Sequence, residues 1–177
     1  SNPSKFTEYS SKLYFQADNA TYGNELFVYD GINVSVIDIN LNEKDSTPSE
    51  LTVYNDKLYF TADGGTYGKE LWVYDGTTAS RVSDLNSGSG DSNPKSLIVY
   101  NSKLYFFAYN GESYGNNLYS YDGSSISLLE GNLMTNYFNG PDYNLTYEKP
   151  IILNDKLLFI AKSTYGYDYN LYSYDGN

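Results

Sequence analysis

The sequence predicts an all-β repeat fold, a small β-propeller, and three observations carry that reading. A strand-like tetrapeptide occurs four times, as Lys12-Leu13-Tyr14-Phe15, Lys57-Leu58-Tyr59-Phe60, Lys103-Leu104-Tyr105-Phe106 and Lys156-Leu157-Leu158-Phe159, at spacings of 45, 46 and 53. Each copy is followed by Tyr-Gly (at Tyr22, Tyr67, Tyr114 and Tyr165) and then by Tyr-Asp-Gly (at Tyr29, Tyr74, Tyr121 and Tyr174). Pro3, Pro48, Pro94 and Pro150 each stand just before a strand-like run, where a residue without an N–H is tolerated and marks the start of a blade. A period of about 45 residues without helical periodicity is the signature of stacked four-stranded blades. The expected architecture is four blades of up to four antiparallel strands in a single domain, 1–177, with repeats at 3–47, 48–93, 94–149 and 150–177. Half of an eight-bladed ring closed by dimerisation is the alternative.

The second repeat justifies each element in turn. Leu51-Thr52-Val53-Tyr54 alternates apolar and polar residues and reads as a first strand, A. Asn55-Asp56 is a two-residue turn of a type that accepts positive φ. Lys57 to Ala62 forms strand B, with Leu58, Phe60 and Ala62 on one face. Asp63 to Lys69, with three glycines, is a longer B–C loop. Glu70 to Tyr74 is strand C, Asp75-Gly76 a turn, and Ser80 to Asp84 a short strand D. A polar connector from Leu85 to Pro94 leads to the next copy. Large side chains on both faces of B and C fit sheets packed on two sides, so most tyrosines are expected between blades.

The fourth copy ends at Gly176-Asn177 without a strand D, which leaves blade four short of its outer strand. An open edge invites pairing with another chain, so a homo-oligomer through that edge is expected. In each up-and-down blade the B–C loops and D–A connectors share one side, where binding residues concentrate. From Gly123 to Pro150 the third connector spans 27 positions, against 17 and 18 in the first two, and reads as either a pocket rim or a solvated insertion.

Composition narrows the function classes. With 22 acidic and 11 basic residues the net charge is −11, which repels phosphate backbones and anionic lipid, so neither nucleic acid nor membrane is an expected partner. There is no cysteine and no histidine, which excludes disulfides, thiol chemistry and histidine-dependent hydrolase triads. A carboxylate pair for glycoside hydrolysis among Glu25, Glu70 and Glu130 is disfavoured, because a repeat array offers near-copies rather than one asymmetric site. The chain is not expected to be an enzyme. No signal-peptide pattern opens it, so a secreted protein would be present here in mature form.

Glu70-Leu71-Trp72-Val73-Tyr74-Asp75-Gly76-Thr77 resembles the signature of the bacterial Glu-Leu-Trp-x-x-Asp-Gly-Thr repeat proteins. The likeness extends to all four copies, with Phe27 for Trp in the first, Asn117 and Tyr119 for Glu and Trp in the third, and Asn170 and Tyr172 in the fourth. It implies a secreted, extracellular or surface-attached protein, a link to adhesion, and no agreed enzymatic activity.

Two constellations are candidate sites. The first joins the loop tyrosine to the polar residue heading strand C: Tyr22 with Glu25, Tyr67 with Glu70, Tyr114 with Asn117 and Tyr165 with Asn170, with Trp72 on the face of Glu70. An aromatic ring beside a carboxylate or amide suits a sugar, which stacks its C–H face and shares its hydroxyls. The same residues also make a structural loop, with Gly at positive φ and Glu accepting backbone N–H groups. The second is Asp38, Asn40 and Asp45 with Asp84, Asn86 and Asp91, alternating oxygen donors that suit calcium or a solvated connector. No cofactor other than this possible calcium is expected. The leading function is non-catalytic, lectin-like binding of glycans or polysaccharide through repeated sites whose linkage supplies avidity. The alternative is a structural or adhesive subunit of an extracellular or cell-surface assembly.

Overall fold

The computed structural model describes residues 2–41, 44–111, 116–130, 149–162 and 169–176. It is all-β, with fifteen strands and no helix among the described residues. Blade one is β1 (Ser4–Tyr9), β2 (Lys12–Asn19), β3 (Gly23–Tyr29) and β4 (Val34–Ile37). Blade two is β5 (Ser49–Tyr54), β6 (Lys57–Asp63), β7 (Lys69–Tyr74) and β8 (Ala79–Arg81). Blade three is β9 (Lys95–Tyr100), β10 (Lys103–Ala108), β11 (Asn117–Tyr121) and β12 (Ile126–Glu130), and blade four is β13 (Ile151–Leu153), β14 (Lys156–Lys162) and β15 (Tyr169–Tyr174). Every sheet is an antiparallel meander in chain order, and among the described residues they have 4, 4, 4 and 3 strands, the last without an outer strand as expected. The chain divides into two compact units, Ser1–Pro94 with blades one and two and Lys95–Asn177 with blades three and four.

Local chemistry accounts for the strands. Both residues of each A–B turn hold positive φ (Ser10 and Ser11, Asn55 and Asp56, Asn101 and Ser102, Asn154 and Asp155), the geometry whose twist matches a two-residue hairpin. Strand A starts earlier than the alternation suggests, at Ser49 rather than Leu51, because Glu50 sits in a bulge with positive φ that breaks the pattern. Lys5 and Ser96 repeat the device. Strand D of blade two is shorter than expected, Ala79–Arg81. Beyond it the N–H groups of Val82 and Ser83 both donate to Leu71 O, and the chain turns in toward Glu70.

Several tyrosines pack between blades, as the large side chains on both strand faces suggested. In the first unit Tyr9, Tyr14 and Leu26 of blade one share a core with Leu58, Phe60 and Ala62 of blade two. In the second, Tyr100, Tyr105, Phe107 and Leu118 of blade three share one with Leu157 and Phe159 of blade four. The tyrosine hydroxyls remain satisfied: Tyr9 donates to Asp56 O at 2.9 Å and Tyr100 to Asp155 O at 2.6 Å, each reaching the A–B turn of the next blade.

Candidate functional site

Glu25 and Glu70 head strands β3 and β7, and both are fully buried. The Glu25 carboxylate faces the following connector. It accepts from Ile39 N at 3.0 Å, Asn40 N at 3.3 Å, Ser46 N at 3.1 Å and Ser46 Oγ at 2.6 Å. Burial is the largest influence on its pKa and raises it; bonds from Ser46, Ile39 and Asn40 oppose that, and Asp38 adds to it. Glu70 accepts from the Ser83 hydroxyl and from Leu85 N at 3.3 Å. Both Glu25 oxygens and Glu70 Oε2 thus staple the D–A connector to its own blade, while the buried Glu70 Oε1 has no hydrogen-bond partner among the described residues. In blade three Asn117 takes the corresponding position and is also buried, whereas Asn170 of blade four is exposed.

Of the acidic residues proposed for calcium, Asp45, Asp84 and Asp91 are engaged with the frame. Asp45 Oδ1 accepts from Asn24 N at 2.7 Å, and Asp91 Oδ1 from Lys69 N at 2.8 Å. Asn40 and Asn86 donate through Nδ2 to the carbonyls of Asp45 (3.2 Å) and Asp91 (3.1 Å), closing each connector on itself. Asp84 pairs with Arg81 at 3.1 Å, and Asp38 is half-buried. Among the described residues no group of three or more Asp, Glu, His or Cys is gathered as a metal site.

The two recurring motifs have structural explanations. In Tyr-Gly, a Cβ on Gly68 would lie 2.5 Å from Gly90 O and one on Gly23 2.7 Å from Asp45 Oδ1, so the connector lies directly against this residue. In Tyr-Asp-Gly, the tyrosine hydroxyl donates to the glycine carbonyl (Tyr29 to Gly31 at 2.7 Å, Tyr74 to Gly76 at 3.0 Å, Tyr121 to Gly123 at 2.9 Å). The aspartate accepts two backbone N–H groups, as Asp30 does from Ile32 and Asn33. Those bonds hold the carboxyls of Asp30, Asp75 and Asp122 below the usual range.

What stays exposed is aromatic and aliphatic. Tyr22 and Tyr67, at the same position in two repeats, present their rings, and Tyr67 is 44% exposed. The Arg81 guanidinium lies 3.7 Å from the centroid of the Tyr67 ring and occupies one of its faces. Trp72 is half-buried against the core and meets Gly64, whose hydrogen leaves no room for a Cβ beside the indole. On the A–B side of the first unit, Glu8, Tyr9, Ser10, Val53 and Asp56 line an open depression of about 530 Å³. Sequence reasoning missed it, and the nearness of Glu8 to Asp56 leaves no sequence signal across different repeats. Blade four exposes Ile151, Ile152, Leu153, Ile160 and Leu171. Tyr114, Tyr165 and the expanded third connector (131–148) lie outside the described residues.

No protein-family model matches this chain, and no curated protein matches it. Among solved structures it is similar to the β-propeller domain of the Trilobed protease from Pyrococcus furiosus, described as having an open velcro topology. The TM-score is 0.61 at 13% identity, over 97% of this chain and 52% of that one, so the chain spans about half the length of its neighbour. The fold class is thus that of a β-propeller, built here from four blades.

Proposed function

We propose that this chain is a non-catalytic structural or adhesive module of an extracellular or cell-surface assembly, acting through apolar blade surfaces. One contrast carries the reading. The repeated polar chemistry is spent on the frame, with Glu25 and Glu70 buried, while blade four leaves Ile151, Leu153, Ile160 and Leu171 open to water. Contiguous apolar surface of that kind marks protein interaction sites. The resemblance to the Glu-Leu-Trp-x-x-Asp-Gly-Thr repeats supports the extracellular setting. Among the described residues no helix is long and apolar enough to cross a membrane.

A second reading, lectin-like binding, is favoured by the exposed rings of Tyr22 and Tyr67 at equivalent loop positions. Light scattering over a concentration series, with and without free sugars, together with a glycan array, separates the two. The structural reading expects association that persists in sugar. Saturable glycan binding, competed by free sugar and lost on Tyr67→Ala, with no self-association at any concentration, would replace it with the lectin reading. Glu70→Ala is unsuited to this test, because its loss would report on folding.

A further inference from the structure

Among the described residues, the buried side-chain atoms without a hydrogen-bond partner are Asp38 Oδ1, Glu70 Oε1, Trp72 Nε1 and Arg81 Nη1. The last three belong to one face of blade two. Glu70 and Trp72 are two positions apart on β7, and Arg81 lies opposite Trp72 on β8, so their side chains are neighbours. That face packs against blade one, through the core in which Trp72 meets Leu58, Phe60 and Ile39. Asp38 immediately precedes Ile39 in the blade-one connector, and Gly64 of the blade-two B–C loop lies against the indole. Arg81 is held from outside: its guanidinium is 3.7 Å from the Tyr67 ring centroid, and Nη1 is 3.1 Å from Asp84 Oδ2 without a hydrogen bond to it.

Blade one shows the same frame without these groups. There Phe27 and Val36 form the cross-strand pair that Trp72 and Arg81 form in blade two. Ile37 stands before Asp38 where Ser83 stands before Asp84. Each of the three changes puts a hydrogen-bond donor in place of an apolar side chain. The carboxylates differ to match. Both oxygens of Glu25 are taken by its connector. In blade two Ser83 Oγ and Leu85 N both donate to Oε2 of Glu70, and Oε1 is left over. A buried polar atom without a partner is destabilising, so a group of them confined to one repeat calls for a partner from outside the frame.

We infer that this face of blade two binds one small neutral polyol, a sugar ring offering neighbouring hydroxyls. Trp72 Nε1 and Arg81 Nη1 donate, while the carboxylate oxygens Glu70 Oε1 and Asp38 Oδ1 accept. A hydroxyl does both at once, so adjacent hydroxyls on one ring suit a mixed set of this kind. An anion would meet the carboxylates of Asp38, Glu70 and Asp84, and an amine would meet the Arg81 guanidinium. The indole supplies the apolar wall that small-molecule sites pair with a few placed polar groups. Trp72 and Arg81 are both partly exposed, so the site meets solvent at the β8 edge. Tyr67 is a positioning residue here, because its ring carries the guanidinium. Such a site belongs to blade two: Val36 and Leu128 stand opposite Phe27 and Tyr119 in blades one and three. It is independent of assembly through apolar surfaces, and it is single where the lectin reading uses equivalent rings of several repeats.

Trp72 is the single tryptophan of the chain, so its fluorescence reports on this site alone. The protein is titrated with a panel of neutral methyl hexopyranosides, with glucuronate as the anionic comparator and spermidine as the cationic one, and calorimetry gives the stoichiometry. A saturable change with a neutral glycoside, at one site per chain and with neither comparator, supports the inference. Arg81→Val and Trp72→Phe restore the blade-one pair and should each weaken calorimetric binding at least about tenfold. Ser80→Ala, on the opposite face of β8, should leave it unchanged. Urea unfolding shows whether each variant folds, and Arg81→Val alone decides the matter if Trp72→Phe does not. No saturable response to any neutral glycoside means that ordered water serves these atoms, and it overturns the inference. Equal binding of glucuronate or spermidine does the same, as does binding that Arg81→Val leaves intact. Loss on Tyr22→Ala with more than one site per chain overturns it in favour of the repeated loop rings. None of these results touches assembly, which light scattering reads separately.

Discussion

Glu25 shows why a carboxylate repeated at the head of a strand reads two ways. Its acid group faces four donors from the connector and none from solvent. Replacing it by alanine strands Ile39 N, Asn40 N and Ser46 N in a buried place and should cost about 3 kcal/mol of stability. Urea unfolding of Glu25→Ala checks this, and a loss within the roughly 0.5 kcal/mol of an ordinary surface substitution would refute the staple. In the sequence this role was legible only as one of two readings. A Glu beside Tyr-Gly has the same spacing whether it accepts from a sugar hydroxyl or from a backbone N–H. Only the fold decides, by bringing Ser46 back onto a residue 21 positions earlier.

The strands and turns were far more readable than the loops that join them. Alternation in Lys57–Asp63 and the paired positive-φ residues of Asn55-Asp56 depend on neighbours in sequence, so their pattern survives there. The bulge at Glu50 and the inward bend at Ser83 depend on partners across the blade, and no local pattern records them. The glycines separate these two kinds of constraint. Gly31 has φ +100 with nothing near its missing Cβ, so Gly31→Ala meets backbone strain alone, about 1 kcal/mol. Gly68 has φ +66 and also the Gly90 carbonyl at 2.5 Å, so Gly68→Ala should cost distinctly more, about 2–4 kcal/mol. Thermal unfolding of the two variants ranks them. Equal losses would show that the connector does not press on the Tyr-Gly loop.

Both units depend on a phenol buried at the same repeat position. Tyr14 in Ser1–Pro94 and Tyr105 in Lys95–Asn177 are both pushed up to about 12, chiefly by burial and then by neighbouring tyrosines, Tyr74 beside one and Tyr174 beside the other. A raised value means that the folded chain favours the neutral phenol. The stability this gives is whole below the ordinary tyrosine value of about 10 and is lost as pH climbs through about 12. Melting temperatures measured from pH 9 to 12 should therefore fall steeply at the alkaline end, and Tyr14→Phe with Tyr105→Phe should flatten the fall. An unchanged slope in that double variant would place the sensitive groups elsewhere. The four-copy plan was legible from spacing alone, but the differing burial of equivalent positions was not. Leu26 and Leu171 are the same letter in the same motif, yet one is buried and the other 71% exposed.

The connector fastenings have a consequence for how such chains change over generations. Glu25 with Ser46, and Glu70 with Ser83, lie inside a single repeat, so each unit carries its own clasp. A segment of this kind brings its wiring along when it is copied or dropped, and lineages can lengthen or shorten the array without inventing new joints.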